Sequence, residues 1–209
     1  MTARKQTILL ATRNLHKVQE LRRLLRDLPI RFLTLDHFPN LPPVREGTIS
    51  FKQNGIKKAV LNSRKTLLPV LAEDSGLEVR ALGGKPGIRS ARFALRETPR
   101  EWTPDQVDQA NVRKLLREMK SIPRRSRQAR FICVMAFAIG GQLIRTFEGN
   151  CPGSIALKPA GRTGFGYDPV FVPHGYRRTM SELGSRIKDR LSHRKKAAVK
   201  FREWFKTNL

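Results

Sequence analysis

Acidic residues are scarce in this chain of 209 residues: 17 Asp and Glu stand against 42 Lys and Arg, a formal net charge of +25. Such a field draws polyanions of any kind, including nucleotides, nucleic acid and membrane surfaces, without choosing among them. The basic residues are dispersed, as in Arg22-Arg23, Lys57-Lys58, Arg124-Arg125, Arg177-Arg178 and Lys195-Lys196, with no detachable tail. No zinc finger or aromatic-bearing RNA-reading motif accompanies them, so nonspecific polyanion contact and a simply solvated surface stand side by side. Cysteine is equally sparse. Cys133 and Cys151 lack metal-site spacing, which favours buried, inert thiols. The longest apolar run, Phe131 to Ile139, falls far short of the roughly 20 residues of a membrane-spanning helix. Ile8 to Ala11 is too brief for a signal-peptide core, and no small-residue cleavage site follows it. The chain therefore reads as soluble and cytoplasmic, with no membrane partner. It shows no internal repeat, and its length suits one large domain or two small ones.

Three familiar site motifs are missing as well. Leu82 to Gly87 is glycine-rich but fails as a P-loop, because no Ser or Thr follows Lys85 where one is needed. Gly161 to Pro169 interleaves glycines with Phe165 and Tyr167, yet Pro169 stands where a dinucleotide fingerprint has its last glycine. No GxSxG elbow occurs, so Ser192 beside His193 does not make a nucleophile pair.

What is present centres on Val70-Leu71-Ala72-Glu73-Asp74-Ser75-Gly76-Leu77. The apolar start predicts the end of a buried strand, with Ser75-Gly76 as the turn that closes it. Two adjacent carboxylates repel unless a cation or proton lies between them, so the pair suits Mg²⁺ binding or water activation; a solvated turn is the plainer reading. Earlier, Thr7 to Ala11 predicts a first strand. Thr12 to Lys17 follows as a polar turn, then a helix carrying Val18, Leu21, Leu24, Leu25 and Leu28 up to Pro29. A turn into a helix start gathers N–H groups suited to an anion, and Thr12, Asn14 and Lys17 add polar partners; capping by Asn14 or Thr12 explains the same residues.

Arg31 to Thr34 predicts a second strand, and Ser50 caps a helix through Phe51, Ile56, Ala59 and Val60. Thr103-Pro104 opens a helix over Gln106 to Met119. Ser121 to Arg130 reads as a basic loop. Phe131 to Ile139 then turns at Gly140-Gly141 into a hairpin partner over Gln142 to Phe147. Ser192 is a natural cap for a terminal helix with Ala198, Phe201, Trp204 and Phe205 on one stripe. Strand-helix-strand units beside a hairpin predict an α/β or α+β fold with a mixed sheet.

The order of these signals is distinctive. Thr12-x-Asn14-x-x-Lys17, Glu46 with Phe51 and Asn54, Lys58, Glu73 to Leu77, Gly84-x-Pro86-Gly87 with Ser90-Ala91-Arg92, Gly164 to Pro169, Lys188 and Ser192-His193-Arg194 together resemble the Ham1-like inosine triphosphate pyrophosphatases. The resemblance runs from the first strand to the last helix. It implies an α/β fold with an elongated mixed sheet flanked by helices, two lobes with an intervening cleft, and a single domain over residues 1–209, usually as a homodimer. The activity it implies is Mg²⁺-dependent hydrolysis of ITP, dITP and XTP to the monophosphate and pyrophosphate. By the same resemblance, Thr12, Asn14 and Lys17 cradle the phosphates with Ser75 among the substrate contacts, and Glu46, Glu73 and Asp74 place the metal. Asp74 is the base toward water, and Lys58 and Lys188 offset triphosphate charge. Phe165, Tyr167, Asp168, His193 and Arg194 build the purine pocket, with Arg194 or a backbone N–H as donor to the purine O6.

The chain departs from the common pattern at several positions. Glu73 stands where Asp is frequent, Gly55 where Ala is usual, and Ser185-Arg186 where acids are common. Two rivals share these residues: a nucleic-acid-binding protein with an inert site, and a related pyrophosphatase with another base preference, such as modified pyrimidine triphosphates. Magnesium-dependent pyrophosphate release across a nucleotide panel discriminates among all three.

Overall fold

The computed structural model describes residues 5–95, 99 and 101–208. Its sheet begins where the apolar runs predict. Strand β1 (Gln6–Leu10) lies parallel to β2 (Ile30–Thr34), with Leu9 opposite Leu33, and parallel to β3 (Val70–Val79), with Leu10 opposite Leu71. Helix α1 (Leu15–Leu24) makes the first crossover and α2 (Phe51–Thr66) the second. Strands β4 (Gln128–Ile139) and β5 (Gln142–Ile155) form a hairpin, and short β6 (Phe171–Pro173) pairs antiparallel with β5. The order across the sheet is β2-β1-β3-β4-β5-β6. It is the mixed α/β sheet that the hairpin and crossover signals imply. The other helices are α3 (Pro104–Glu118), α4 (Met180–Leu191) and α5 (His193–Asn208). None of the described helices is long and apolar enough to cross a membrane.

Local chemistry accounts for most boundaries. Asn14, Ser50 and Thr103 each accept a hydrogen bond from a backbone N–H of the following first turn, as expected of caps. The β4–β5 turn needs two residues at positive φ, which Gly140 and Gly141 supply at 57° and 82°.

Five points of the sequence reading need correction. Helix α1 stops at Leu24 rather than at Pro29, because the Pro29 carbonyl already accepts from Gln6 N and the intervening residues turn the chain toward β2; Leu28 is buried nonetheless. Strand β3 does not end at Ser75-Gly76. It runs on to Val79 because Leu77 and Val79 continue the buried alternation. The expected basic loop gives way to strand at Gln128, and β5 extends to Ile155 rather than stopping near Phe147. Helix α4, broken at Gly184, is an element the sequence reading omits, although Thr179 and Glu182 form the capping box that announces it.

The chain forms two compact units. The first comprises the residues up to Asp74, Cys133–Gly149 and those from His193 onward; the second comprises Ser75–Ile132 and Asn150–Ser192. The sheet in the first unit has a core on each face. On one, Leu71, Cys133 and Met135 pack with Val18 and Leu21 of α1 and Phe201 of α5. On the other, Val70, Ala72 and Ala136 pack with Ala59 of α2. Gly149 admits α5 to the sheet at close range: a Cβ there would lie 2.1 Å from the His193 carbonyl oxygen and 2.6 Å from Ala197 N. The second unit has its own core of Leu77, Val79, Leu115, Phe131, Tyr167 and Phe171. There the buried Arg127 ties the end of α3 to the end of β5, donating to the carbonyls of Met119, Ile122, Ile155 and Ala156.

Candidate active site

Successive side chains on a strand point to opposite faces. Glu73 and Asp74 therefore part company in β3, each joining a different group. Glu73 shares its face with Leu71 and Cys133 and turns toward α1 and α5. Its two carboxylate oxygens accept from Arg194 Nε (2.7 Å) and Nη2 (2.8 Å), and Lys17 Nζ lies 2.9 Å from Oε1. Arg194 Nη1 donates to Glu20 of α1, and the thiol of Cys133 donates to Glu73 at 3.4 Å. Two acids and two bases thus balance in a region where the Glu73 and Arg194 side chains are each 1 % exposed. Burial opposes the charge on Glu73, but Arg194 and then Lys17 outweigh it and hold the carboxyl well below the usual range. Arg194 is likewise penalised by burial and pushed up more strongly by Glu73 and Glu20. Burial and the neighbouring Glu73 both raise the Cys133 thiol well above its ordinary value.

Asp74 shares its face with Ala72 and turns toward α2. Lys58 Nζ lies 3.2 Å from Asp74 Oδ1 and 2.9 Å from Glu46 Oε1. The other carboxylate oxygen, Asp74 Oδ2, is buried without a hydrogen bond of ordinary geometry, the Asn54 amide lying near enough only to pull weakly on the carboxyl's pKa. Burial pushes the Asp74 carboxyl up; Lys58 and Lys17 pull against it, and burial wins with help from Glu46. Lys58 follows the opposite balance, with burial lowering its pKa but Asp74 and Glu46 raising it above its ordinary value. Asn54, one turn before Lys58, fixes the approach to Glu46 by accepting from Gly47 N (2.8 Å) and donating to Gly47 O (3.4 Å).

The three acids expected to place a metal thus do not converge. Among the described residues no three His, Cys, Asp or Glu side chains are arranged to hold a metal ion. Glu73 is on the other face with both oxygens in use, whereas Glu46 and Asp74 already share one cation. Two hard carboxylates, one with a buried oxygen that makes no hydrogen bond of ordinary geometry, form a donor set of the kind Mg²⁺ takes together with substrate phosphates. On that chemistry Glu46 and Asp74 fit the metal and Glu73 does not.

At the start of α1, Thr12 Oγ1 accepts from Asn14 N (3.2 Å), and Asn14 Oδ1 accepts from Lys17 N (3.1 Å). His193 and Arg194 open α5, both buried, and Ser75 is half-buried in β3. The remaining expected residues lie in the second unit. Lys188 is buried against Asp168, and its Nζ lies 4.3 Å from the centre of the Phe165 ring. Asp168 Oδ2 also accepts from Phe165 N at 3.1 Å. Tyr167 is buried, and its hydroxyl donates to the Ser90 carbonyl at 2.9 Å.

Sequence reasoning missed Glu20 and Asp108. Glu20 carries a readable signal: it falls on the same side of α1 as Lys17 and Leu24 and is buried there beside Arg194. Asp108, which accepts from Gly166 N at 2.7 Å, has no such signal, since the partner loop is distant in sequence.

The model of the Ham1 family matches residues 8–204. The chain is 42 % identical to the dITP/XTP pyrophosphatase of Geobacillus kaustophilus, over 94 % of this chain and 92 % of that protein. It is 39 % identical to the dITP/XTP pyrophosphatase of Oceanobacillus iheyensis, over 96 % and 98 %. Among solved structures, the Staphylococcus aureus Ham1 protein superposes with a TM-score of 0.83 at 30 % identity, covering 98 % of this chain and 100 % of that one.

Proposed function

The chain belongs to the Ham1 family, and from that premise we propose that it hydrolyses deaminated purine nucleoside triphosphates, dITP, ITP and XTP, to the monophosphate and pyrophosphate. The observation that carries the reaction is the Asp74 carboxylate: raised in pKa by burial, held by Lys58 through Oδ1, and left with a buried Oδ2 that makes no hydrogen bond of ordinary geometry. A carboxylate whose pKa burial raises is a better base than a free one, and a carboxylate oxygen without a hydrogen bond can accept a proton from water.

In the proposed step, Asp74 takes a proton from water as the water oxygen bonds to the α-phosphorus. The bond from that phosphorus to the bridging oxygen of the β-phosphate breaks, and pyrophosphate leaves. Such transition states place little demand on covalent help and much on positioning and charge. Lys17, Lys58 and the N–H groups at the start of α1 meet phosphate oxygens, and Thr12 and Asn14 shape that turn. Glu46 and Asp74 would hold Mg²⁺, which when bound supplies charge neutralisation at the phosphate oxygens. Glu73 orients Lys17 and anchors Arg194 and binds no metal.

Phe165, Asp168 and His193 are assigned to the base and Lys188 to the triphosphate charge, while Arg194, whose three nitrogens donate to Glu73 and Glu20, anchors the start of α5 and leaves the O6 donor to a backbone N–H. Tyr167, its hydroxyl used inside the core, supports the loop that carries Phe165. Rejection of adenine needs a donor at O6 that its amino group would leave unpaired, and rejection of guanine needs a pocket that leaves its 2-amino group without a partner. We also infer a homodimer, to be read by light scattering.

The test is a panel of dITP, ITP, XTP, dATP, dGTP and a modified pyrimidine triphosphate with Mg²⁺, scored for pyrophosphate. Rapid pyrophosphate release from the deaminated purines alone supports the proposal. Equal rates on dATP and dITP refute the base preference, and orthophosphate as the first product refutes the reaction.

A further inference from the structure

Lys58 occupies the place where one cation serves both Glu46 and Asp74. We infer that it is a built-in stand-in for the divalent metal: its ammonium holds the two acids together before substrate arrives and is exchanged for metal when a metal-triphosphate complex binds. The inference rests on the reading of Glu46 and Asp74 as metal donors.

Three features carry it. First, the ammonium bridges the acids at 2.9 and 3.2 Å with little exposure, 14 % for the Lys58 side chain and 10 % for Asp74. Two carboxylates sharing a site repel when nothing positive lies between them, so a lysine here preserves the donor geometry. Second, Asp74 Oδ2 is buried without a hydrogen bond of ordinary geometry, so the ammonium leaves a donor atom unsatisfied that a metal or its water would meet. Third, the backbone beneath Lys58 is pinned. Asn54 clasps Gly47 on one side, and on the other Asn62 Nδ2 donates to the Lys58 carbonyl at 2.7 Å. Exchange therefore needs only rotation of a flexible four-carbon stem.

The consequence is an ordered preference. Metal arriving alone must expel an ammonium from two carboxylates and offers that ammonium nothing in return. Metal arriving on a triphosphate brings the anion that receives it. Lys58 thus couples metal to nucleotide and disfavours futile loading with free metal.

Calorimetric titration of the nucleotide-free protein with Mn²⁺ alone tests this. Lys58→Met and Lys58→Gln remove the ammonium but keep much of the stem, and each is expected to bind Mn²⁺ at least about fivefold more tightly than the parent. A smaller gain in both overturns the inference. If neither variant folds, the Lys58 side-chain resonances of the parent decide: they must shift on saturation with Mg²⁺ and inorganic tripolyphosphate, and unmoved resonances overturn it. Asp74→Asn added to Lys58→Met separates the two readings. Tight Mn²⁺ binding that this change abolishes supports both. Equal affinity in parent and Lys58→Met, lost with Asp74→Asn, overturns the exchange but keeps the acids as donors. Binding indifferent to Asp74→Asn overturns both.

Discussion

Replacing Glu73 by Gln separates a positioning acid from a metal ligand. Gln keeps the shape but removes the charge that both Arg194 and Lys17 use. Glu73 and Arg194 are each 1 % exposed and joined by two bonds of 2.7 and 2.8 Å, so solvent screening takes little from the pair. Breaking such a pair costs about 3–5 kcal/mol, because the remaining charge stays buried. Here Glu20 still faces Arg194, which puts the expected loss at the low end, about 3 kcal/mol. For a chain of this length that is a fall in Tm of roughly 6–12 °C. The loss should also depend on pH. Because the folded carboxyl lies well below its ordinary value, its contribution is complete above about pH 4.3, the unfolded value, and fades as pH falls further through the folded value. Melting temperatures of the two proteins should therefore stay apart above about pH 4.3 and draw together only as the pH is lowered below it. Half-saturation by Mg²⁺ in the pyrophosphate assay should stay within about twofold of the parent. A loss below about 1 kcal/mol, or a Mg²⁺ requirement shifted tenfold, would show that Glu73 is not the buried anchor described.

Other substitutions probe other parts. Asp74→Asn should lower kcat on dITP by about 10²- to 10⁴-fold even at saturating Mg²⁺ and nucleotide; a smaller fall removes Asp74 as base. Gly149→Ala places a methyl 2.1 Å from the His193 carbonyl and should cost about 1–3 kcal/mol, with faster amide exchange at the start of α5. Unchanged exchange there would mean that α5 does not depend on this approach. Arg127→Met should destabilise the second unit by about 3 kcal/mol in urea unfolding, since four carbonyls lose one buried donor group. Cys133, buried beside Glu73 with its thiol pKa raised, should resist alkylation at pH 8 until the protein unfolds; rapid labelling of the native protein would contradict that burial.

Much of the fold was legible because its signals are local. Asn14, Ser50 and Thr103 cap the helices they precede, and Gly140-Gly141 turns the hairpin, through chemistry contained within a few residues. The errors arise where two local signals compete. Ser75-Gly76 has the composition of a turn, yet Leu77 and Val79 alternate into a core, and burial of those side chains prevails. Thr179 and Glu182 announce α4, but Gly184 and the glycine-rich stretch before it obscure a helix that tolerates a break at φ 76°. Once β3 is known to be continuous, its period of two sends Glu73 and Asp74 to opposite faces and into different groups, which the expected strand end at Ser75-Gly76 concealed. The Arg194 pairing with Glu20 spans 174 residues, and no periodicity or spacing reports it. Lys58, by contrast, is named by the motif order, but its position between Glu46 and Asp74 needs three-dimensional geometry.

The central claim is that Asp74 directs water to the α-phosphorus of a deaminated purine nucleotide. Hydrolysis of dITP in ¹⁸O-labelled water, with both products analysed by mass spectrometry, tests it most directly. The account predicts one labelled oxygen in dIMP, none in the pyrophosphate, and loss of that label incorporation in folded Asp74→Asn protein. Label in the pyrophosphate, or undiminished labelling of dIMP by the Asp74→Asn protein, would contradict it.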